Sequence, residues 1–271
     1  MSTTSVVLAI VSTVLLAVAA LGETTWVLGR LARRPSPLPP LPWGEERVRG
    51  ASSPRRSERD WKRFAASLPD PEHVGPEAFF VALSEGLSER FPHGVADFTI
   101  WSNYVFWAAS RVVGRLRAIE DTAHLFRYAR CGLCSQIAQA FVDIATRRRQ
   151  TARVVALRGH VIAEGYYDGK WHMFDPDYGV ILRDANGIVS LEQLAASPEL
   201  ARSLYWGARI ASGERRAAEF LKPGEARRLS PGAHHSPKTV RCQRILHALK
   251  WVVPLVGLLT AAVIGLGGAR S

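Results

Sequence analysis

Three side chains in the middle of this 271-residue chain are of the types that nucleophilic catalysis needs: Cys134, His160 and Asp175. Cys134 opens a stretch, Cys134 to Arg147, in which Ile137, Ala140, Phe141 and Ile144 recur on one helical face. A thiol at a helix N-terminus feels the positive end of the macrodipole, which favours the thiolate. A cysteine nucleophile also needs a base to take its proton and a third group to orient that base. His160 begins a strand-like run, and Asp175 ends the next one beyond an Asp168-Gly169 turn. If those runs pair across the turn, seven residues separate His160 from it and five separate Asp175, and the two stand close to opposite each other.

The same cysteine belongs to a second pattern, Cys131-Gly-Leu-Cys134, which in other settings is a redox or metal signature. A thioredoxin-like site needs a strand before the motif, whereas helical sequence precedes it here. As a zinc set, Cys131, Cys134, His160 and His172 are separated by gaps unlike finger spacing. Asp175-Pro-Asp177-Tyr-Gly179 lacks the later ligands of a calcium loop. No metal or cofactor is therefore expected. Cys131 is expected to be a neighbour of the nucleophile, His172 to be a surface or packing residue, and Trp171 to be core or to line a substrate cleft.

The elements that must position these side chains change period along the chain. Pro76 to Phe91, Trp101 to Leu116, Glu120 to Tyr128 and Cys134 to Arg147 read as helices. Ala152 to Leu157, His160 to Tyr167, Lys170 to Phe174 and Gly179 to Leu182 read as short strands, with Asp168-Gly169 as a hairpin turn. Ser190 and Gln193 form a capping box for a further helix, and Pro198 to Trp206 reads as another. Helices first and an antiparallel sheet second make an α+β domain.

Five short motifs then follow in order: Gly132-Leu133-Cys134-Ser135-Gln136-Ile137-Ala138, Ala152-Arg153-Val154-Val155, His160-Val161-Ile162-Ala163-Glu164, Asp168-Gly169-Lys170-Trp171 and Phe174-Asp175-Pro176. Together they resemble the core of the transglutaminase-like superfamily, in a form suggesting a membrane-anchored bacterial member. The resemblance covers roughly residues 130–183. It implies a papain-like fold and a catalytic Cys134–His160–Asp175 triad. It also implies acyl transfer through a Cys134 thioester, with a protein or peptide as the amide donor. Water or an amine would complete the cycle as hydrolysis, deamidation or cross-linking, with hydrolysis of peptide or isopeptide bonds the first expectation. The alternative is a catalytically inactive member of the fold that binds a peptide as a membrane-tethered scaffold. The sequence departs from the family at Gly165, where an apolar strand residue is usual. For the oxyanion, the backbone N–H of Cys134 is the expected donor, with Trp101, Asn103 or Gln136 as side-chain candidates.

Charge places this core between two membrane spans. Val6 to Leu21 and Trp251 to Ala269 contain no charged side chain, and each is close to the roughly 20 residues that cross a bilayer core. The net charge of +11 comes entirely from their flanks, because residues 61–208 hold 16 basic and 16 acidic side chains. A nucleic-acid partner is not supported by that balance. The flanking cations suit anionic lipid headgroups instead. Arg30, Arg33 and Arg34 follow the first span, and Lys238, Arg241, Arg244 and Lys250 precede the second, which predicts a cytoplasmic central domain. The expected organisation is a transmembrane helix over 5–28, a Pro/Arg-rich linker over 29–59 and a transglutaminase-like domain over 60–208. A basic helical linker over 209–248 and a transmembrane helix over 249–269 complete it.

Overall fold

The computed structural model describes residues 3–31, 60–94, 96, 98–197, 199, 200, 203 and 226–267. Most of the linker expected over 29–59, most of the helix expected at 198–206 and the first part of the linker over 209–248 lie outside these residues. The described chain is mixed helix and antiparallel sheet and divides into two compact units.

The first unit gathers three pieces of sequence, Met1–Arg34, Asp97–Asp121 and Ser236–Ser271. Its helices are α1 (Thr3–Leu31), a helix over Ile100–Val112 with a 3-10 turn at Gly114–Leu116, and a final helix over Pro237–Gly267. The first and last are long and apolar enough to cross a membrane. The last begins twelve residues before the span expected from position 249, so the helical end of the expected basic linker, Lys238 to Ala248, is continuous with the span. Residues 97–121, expected within the central domain, belong to this unit. A buried Gln243 holds their end: its amide donates to the Ala118 carbonyl at 2.8 Å, and its Oε1 accepts from the N–H groups of Glu120 and Asp121 at 3.1 and 2.9 Å. Ser5 donates to the Ala261 carbonyl at 2.9 Å, which ties the two long helices antiparallel. Lys250, expected in the cationic collar, is instead 1% exposed and ion-paired with Glu23. Removing the pair's charges from water carries a desolvation cost that only close pairing offsets.

The second unit holds Pro35–Ala96 and Thr122–His235. Its elements in chain order are α2 (Trp61–Ser67), α3 (Pro71–Val74), α4 (Pro76–Arg90), then α5 (Thr122–Tyr128) and α6 (Cys134–Arg147). The strands β1 (Ala152–Leu157), β2 (His160–Tyr167) and β3 (Lys170–Phe174) follow. A two-residue hairpin, β4 (Arg183–Asp184) and β5 (Gly187–Ile188), leads to α7 (Leu191–Ala196), and β6 (Arg227–Arg228) closes the unit. Helix α6 and the three principal strands coincide with their expected limits. The strand expected over Gly179–Leu182 is reduced to one bridge between Asp175 and Val180.

The main sheet runs β3-β2-β1-β6, antiparallel throughout. Asp168 and Gly169 turn β2 into β3 with φ of +50° and +75°, the paired positive values that a two-residue hairpin needs. Helix α6 packs on β1 and β2 through its apolar face, and Ile137, Ala140, Phe141 and Ile144 are fully buried. Phe80 of α4 lies between sheet and helix, with ring centroids 5.6 Å from both Phe141 and Phe174. This ring explains Gly165: a Cβ there would stand 2.8 Å from Phe80 Cε2, so the aromatic side chain occupies the space a strand residue would fill. Each such Phe contributes about 1.5–3 kcal/mol by leaving water. Arg90 adds a buried polar tie, donating from Nη2 to the carbonyls of Phe126 (3.0 Å) and Ala129 (3.2 Å), beside the loop that enters α6.

Candidate active site

Cys134 is the first residue of α6 because Leu133 before it is extended (φ −79°, ψ 158°). Leucine has no capping oxygen, and the helix start is organised from within: Gln136 Oε1 accepts from the Leu133 N–H at 2.8 Å. Gln136 thereby resides in the helix cap, with its Nε2 turned toward the Ala96 carbonyl at 3.5 Å. Of the other oxyanion candidates, Asn103 uses its Oδ1 to accept from the Phe106 N–H at 3.0 Å, in the first unit, and the Trp101 side chain lies outside the described residues.

His160 begins β2 immediately after the Arg158-Gly159 turn and pairs with Leu157 across it. Asp175 follows β3, where its backbone exchanges hydrogen bonds with Val180 at 3.1 and 3.0 Å. The loop 176–179 therefore folds back over the end of the hairpin. His160 Nε2 and Asp175 Oδ2 are 2.8 Å apart, with 1% and 0% side-chain exposure. Cys134 completes the series, with its Sγ within 4.8 Å of a His160 ring nitrogen. The structure thus brings together all three residues singled out as catalytic from the sequence.

Burial by itself pushes the His160 ring toward its neutral form. The charge and hydrogen bond of Asp175 oppose it, Cys134 adds to them, and together they raise His160 from 6.5 to about 10. The imidazole is thus a stable cation at neutral pH, able to stand beside a thiolate and later give its proton to a leaving amine.

Further residues converge on this point without having been selected from the sequence. Asp177 is 0% exposed, and its carboxylate lies with Cys134 Sγ and a His160 ring nitrogen in a group whose atoms are all within 4.8 Å. Its Oδ2 is 2.7 Å from His93 Nδ1, while its Oδ1 is buried with no hydrogen-bond partner among the described residues. His93 reaches the site because its backbone forms a parallel bridge with Gly132, two residues before Cys134. The Tyr178 ring packs between the histidines, 6.2 Å from His93 and 5.0 Å from His160. Hairpin register carried the missing signal. The ladder pairs Tyr167 with Lys170 and Ala163 with Phe174; extended three places, it sets His160 opposite Asp177, and Asp175 one diagonal step away.

The remaining motif residues support the sheet. Arg153 and Glu164 are paired in register across β1 and β2, with Nε to Oε2 at 2.7 Å, and the guanidinium lies 3.8 Å from the Trp171 ring centroid. Burial raises the Glu164 pKa, and Arg153 only partly offsets it. Of the two positions expected for His172, surface or packing, the structure has the second: it is buried, with its Nδ1 2.7 Å from the Ile188 carbonyl and its ring stacked on Tyr167. His235 is held by Gln139, whose Oε1 accepts from its backbone N–H at 3.0 Å.

Comparison with family models, with curated proteins and with solved structures finds no match to this chain.

Proposed function

We propose that the protein is a membrane-anchored cysteine acyl-transfer enzyme of transglutaminase-like type, acting on amide bonds of proteins or peptides. The observation that carries this reading is the buried relay from Cys134 through His160 to Asp175, with the thiol at the start of a helix. A nucleophile helix packed on an antiparallel sheet, with the base and its orienting carboxylate on successive strands, is also the arrangement expected of a papain-like core. In the reaction, Cys134 Sγ attacks the amide carbonyl carbon and the charge moves to its oxygen. The Cys134 N–H at the helix N-terminus is the donor best placed to receive that oxyanion. His160 then passes its proton to the leaving nitrogen, the C–N bond breaks, and a thioester remains. Water or an amine attacks the thioester, His160 takes a proton from it, and the thiolate leaves. Asp175 keeps the ring oriented and its charge balanced throughout.

Membrane anchoring rests on the two long apolar helices, and the cytoplasmic placement of the catalytic unit rests on the Arg and Lys beside them. Protease protection in sealed vesicles tests that placement, and digestion of the unit only from the extracytoplasmic side would reverse it. An iodoacetamide or vinyl-sulfone probe tests the chemistry. The expected result is labelling at neutral pH that persists in Cys131→Ala and disappears in Cys134→Ala. Absence of selective labelling at Cys134 in the folded chain would favour the peptide-binding scaffold.

A further inference from the structure

The acyl-transfer reading leaves Asp177 and His93 without a task, yet they are built into the site as firmly as the triad. Asp177 is fully buried beside the nucleophile and presents one oxygen that no hydrogen-bond donor among the described residues meets. An unsatisfied buried carboxylate oxygen is costly and calls for a ligand. The neighbouring groups are a thiol sulfur and an imidazole nitrogen, all within 4.8 Å of one another. Sulfur, nitrogen and oxygen donors in one small cluster suit zinc, and they do not suit calcium or magnesium, which take oxygen ligands. Tetrahedral zinc holds such donors about 3.3–3.8 Å apart, so modest side-chain closure would complete the set.

We propose that Cys134, His160 and Asp177 form a three-ligand site for zinc that switches the nucleophile off. Each ligand except the sulfur is oriented from behind. His160 is fixed by Asp175 on Nε2, and Asp177 is fixed by His93 on Oδ2, which leaves Oδ1 without a partner among the described residues. Cys134 is only partly buried, so the metal has an entry side and a fourth position for water. The metal takes the sulfur as thiolate and the ring as neutral imidazole, so binding releases to solvent whatever protons the two hold between them, and the two anionic ligands balance the ion's charge. A bound zinc occupies the sulfur and the proton shuttle together. Inhibition of catalysis rests on the reading given above, whereas the binding itself does not.

The test uses the purified full chain in detergent with Co²⁺ as the probe and Zn²⁺ as its competitor. The expected result is one Co²⁺ per chain with a thiolate-to-cobalt charge-transfer band, removed by Zn²⁺, lost in Cys134→Ser and kept in Cys131→Ser. His93→Phe keeps a ring against Tyr178 but loses the donor to Asp177, and lowers Co²⁺ affinity about 10–100-fold. Asp177→Asn lowers it further. Zn²⁺ should also protect wild-type Cys134 from iodoacetamide, a measurement that needs no variant. Absence of the band, its dependence on Cys131, or failure of Zn²⁺ to protect Cys134 overturns the site. Labelling of Cys134 without cobalt binding would leave the enzyme and remove the switch. Cobalt binding without metal-free labelling would do the reverse.

Discussion

Replacing Asp175 by Asn tests the relay most directly, because the amide keeps the shape of the carboxylate and removes its charge. In the wild type His160 is pulled two ways: burial disfavours the cation, and Asp175 with Cys134 outweighs that effect and carries the ring to about 10. Relative to 6.5, that is worth roughly 5 kcal/mol at about 1.4 kcal/mol per tenfold. The 3–5 kcal/mol typical of removing one partner from a buried charge pair gives the same size by an independent route. With the charge gone, burial dominates and His160 should titrate below 6.5. The stability consequence has a definite sign. A histidine raised in the folded state contributes fully below its unfolded value and loses that contribution as pH climbs to about 10. The destabilisation by Asp175→Asn should therefore be greatest near pH 6 and should fade as pH rises toward 10. Histidine-selective ¹⁵N labelling of the chain in detergent follows the ring directly, with His160→Gln assigning its resonance, and thermal unfolding at pH 6 and pH 10 follows the stability. A His160 midpoint near 10 in Asp175→Asn, or near 6.5 in the wild type, would refute the reasoning.

Three further outcomes follow from buried groups. Arg153→Ala strands Glu164, which is 0% exposed, and should cost about 3–5 kcal/mol at neutral pH, with the loss shrinking as acid protonates the carboxyl that burial already pushes up. Glu164→Gln should cost clearly less, and thermal melts of the two variants across pH 5–8 distinguish them; equal losses would contradict the asymmetry. Gly165→Ala drives a Cβ into the Phe80 ring and should destabilise by about 1–3 kcal/mol, with Phe80→Leu restoring part of it in the double variant; additive effects would show that the two do not meet. Glu23→Gln leaves Lys250 buried without its carboxylate and should lower the melting temperature in detergent more than Glu23→Gln combined with Lys250→Met, an order that an exposed pair would not produce.

The parts of the fold that could be read from the chain are those where local chemistry decides. The apolar face of Cys134 to Arg147 has one helical solution, and Asp168-Gly169 supplies the two positive φ values that one hairpin type requires. Those two features fixed α6, β2 and β3 at their expected limits. What could not be read depends on distant partners. Residues 97–121 looked like part of the central domain because they continue it in sequence, but Gln243, more than 120 residues later, supplies the side chain that anchors their end. Lys250 looked like a headgroup contact because a lysine beside an apolar run normally is one. Glu23 removes it from that role, and nothing within twenty residues of Lys250 announces the pairing.

At the candidate site the division is finer, and it explains how Asp177 escaped notice beside Asp175. His160 lies seven residues from the turn, Asp175 five and Asp177 seven, so the two carboxylates differ only by the two positions that separate a diagonal neighbour from an in-register one. The ladder itself separates them: Asp177 is the in-register mate of His160 and Asp175 the diagonal one. Were the strand to continue regularly, the mate would be the closer partner. The chain instead leaves the ladder at Asp175, and the Asp175–Val180 bridge reverses it within four residues, so Asp175 takes Nε2 while Asp177 is swung beside the sulfur. Two carboxylates thus reach one histidine from the same short loop with different consequences. One holds the ring, and the other faces the atom that would react. A single residue added to or removed from loop 176–179 would exchange or separate those positions, and for that reason the length of this loop, rather than the presence of a Cys, a His and an Asp, is the feature on which the site's chemistry depends.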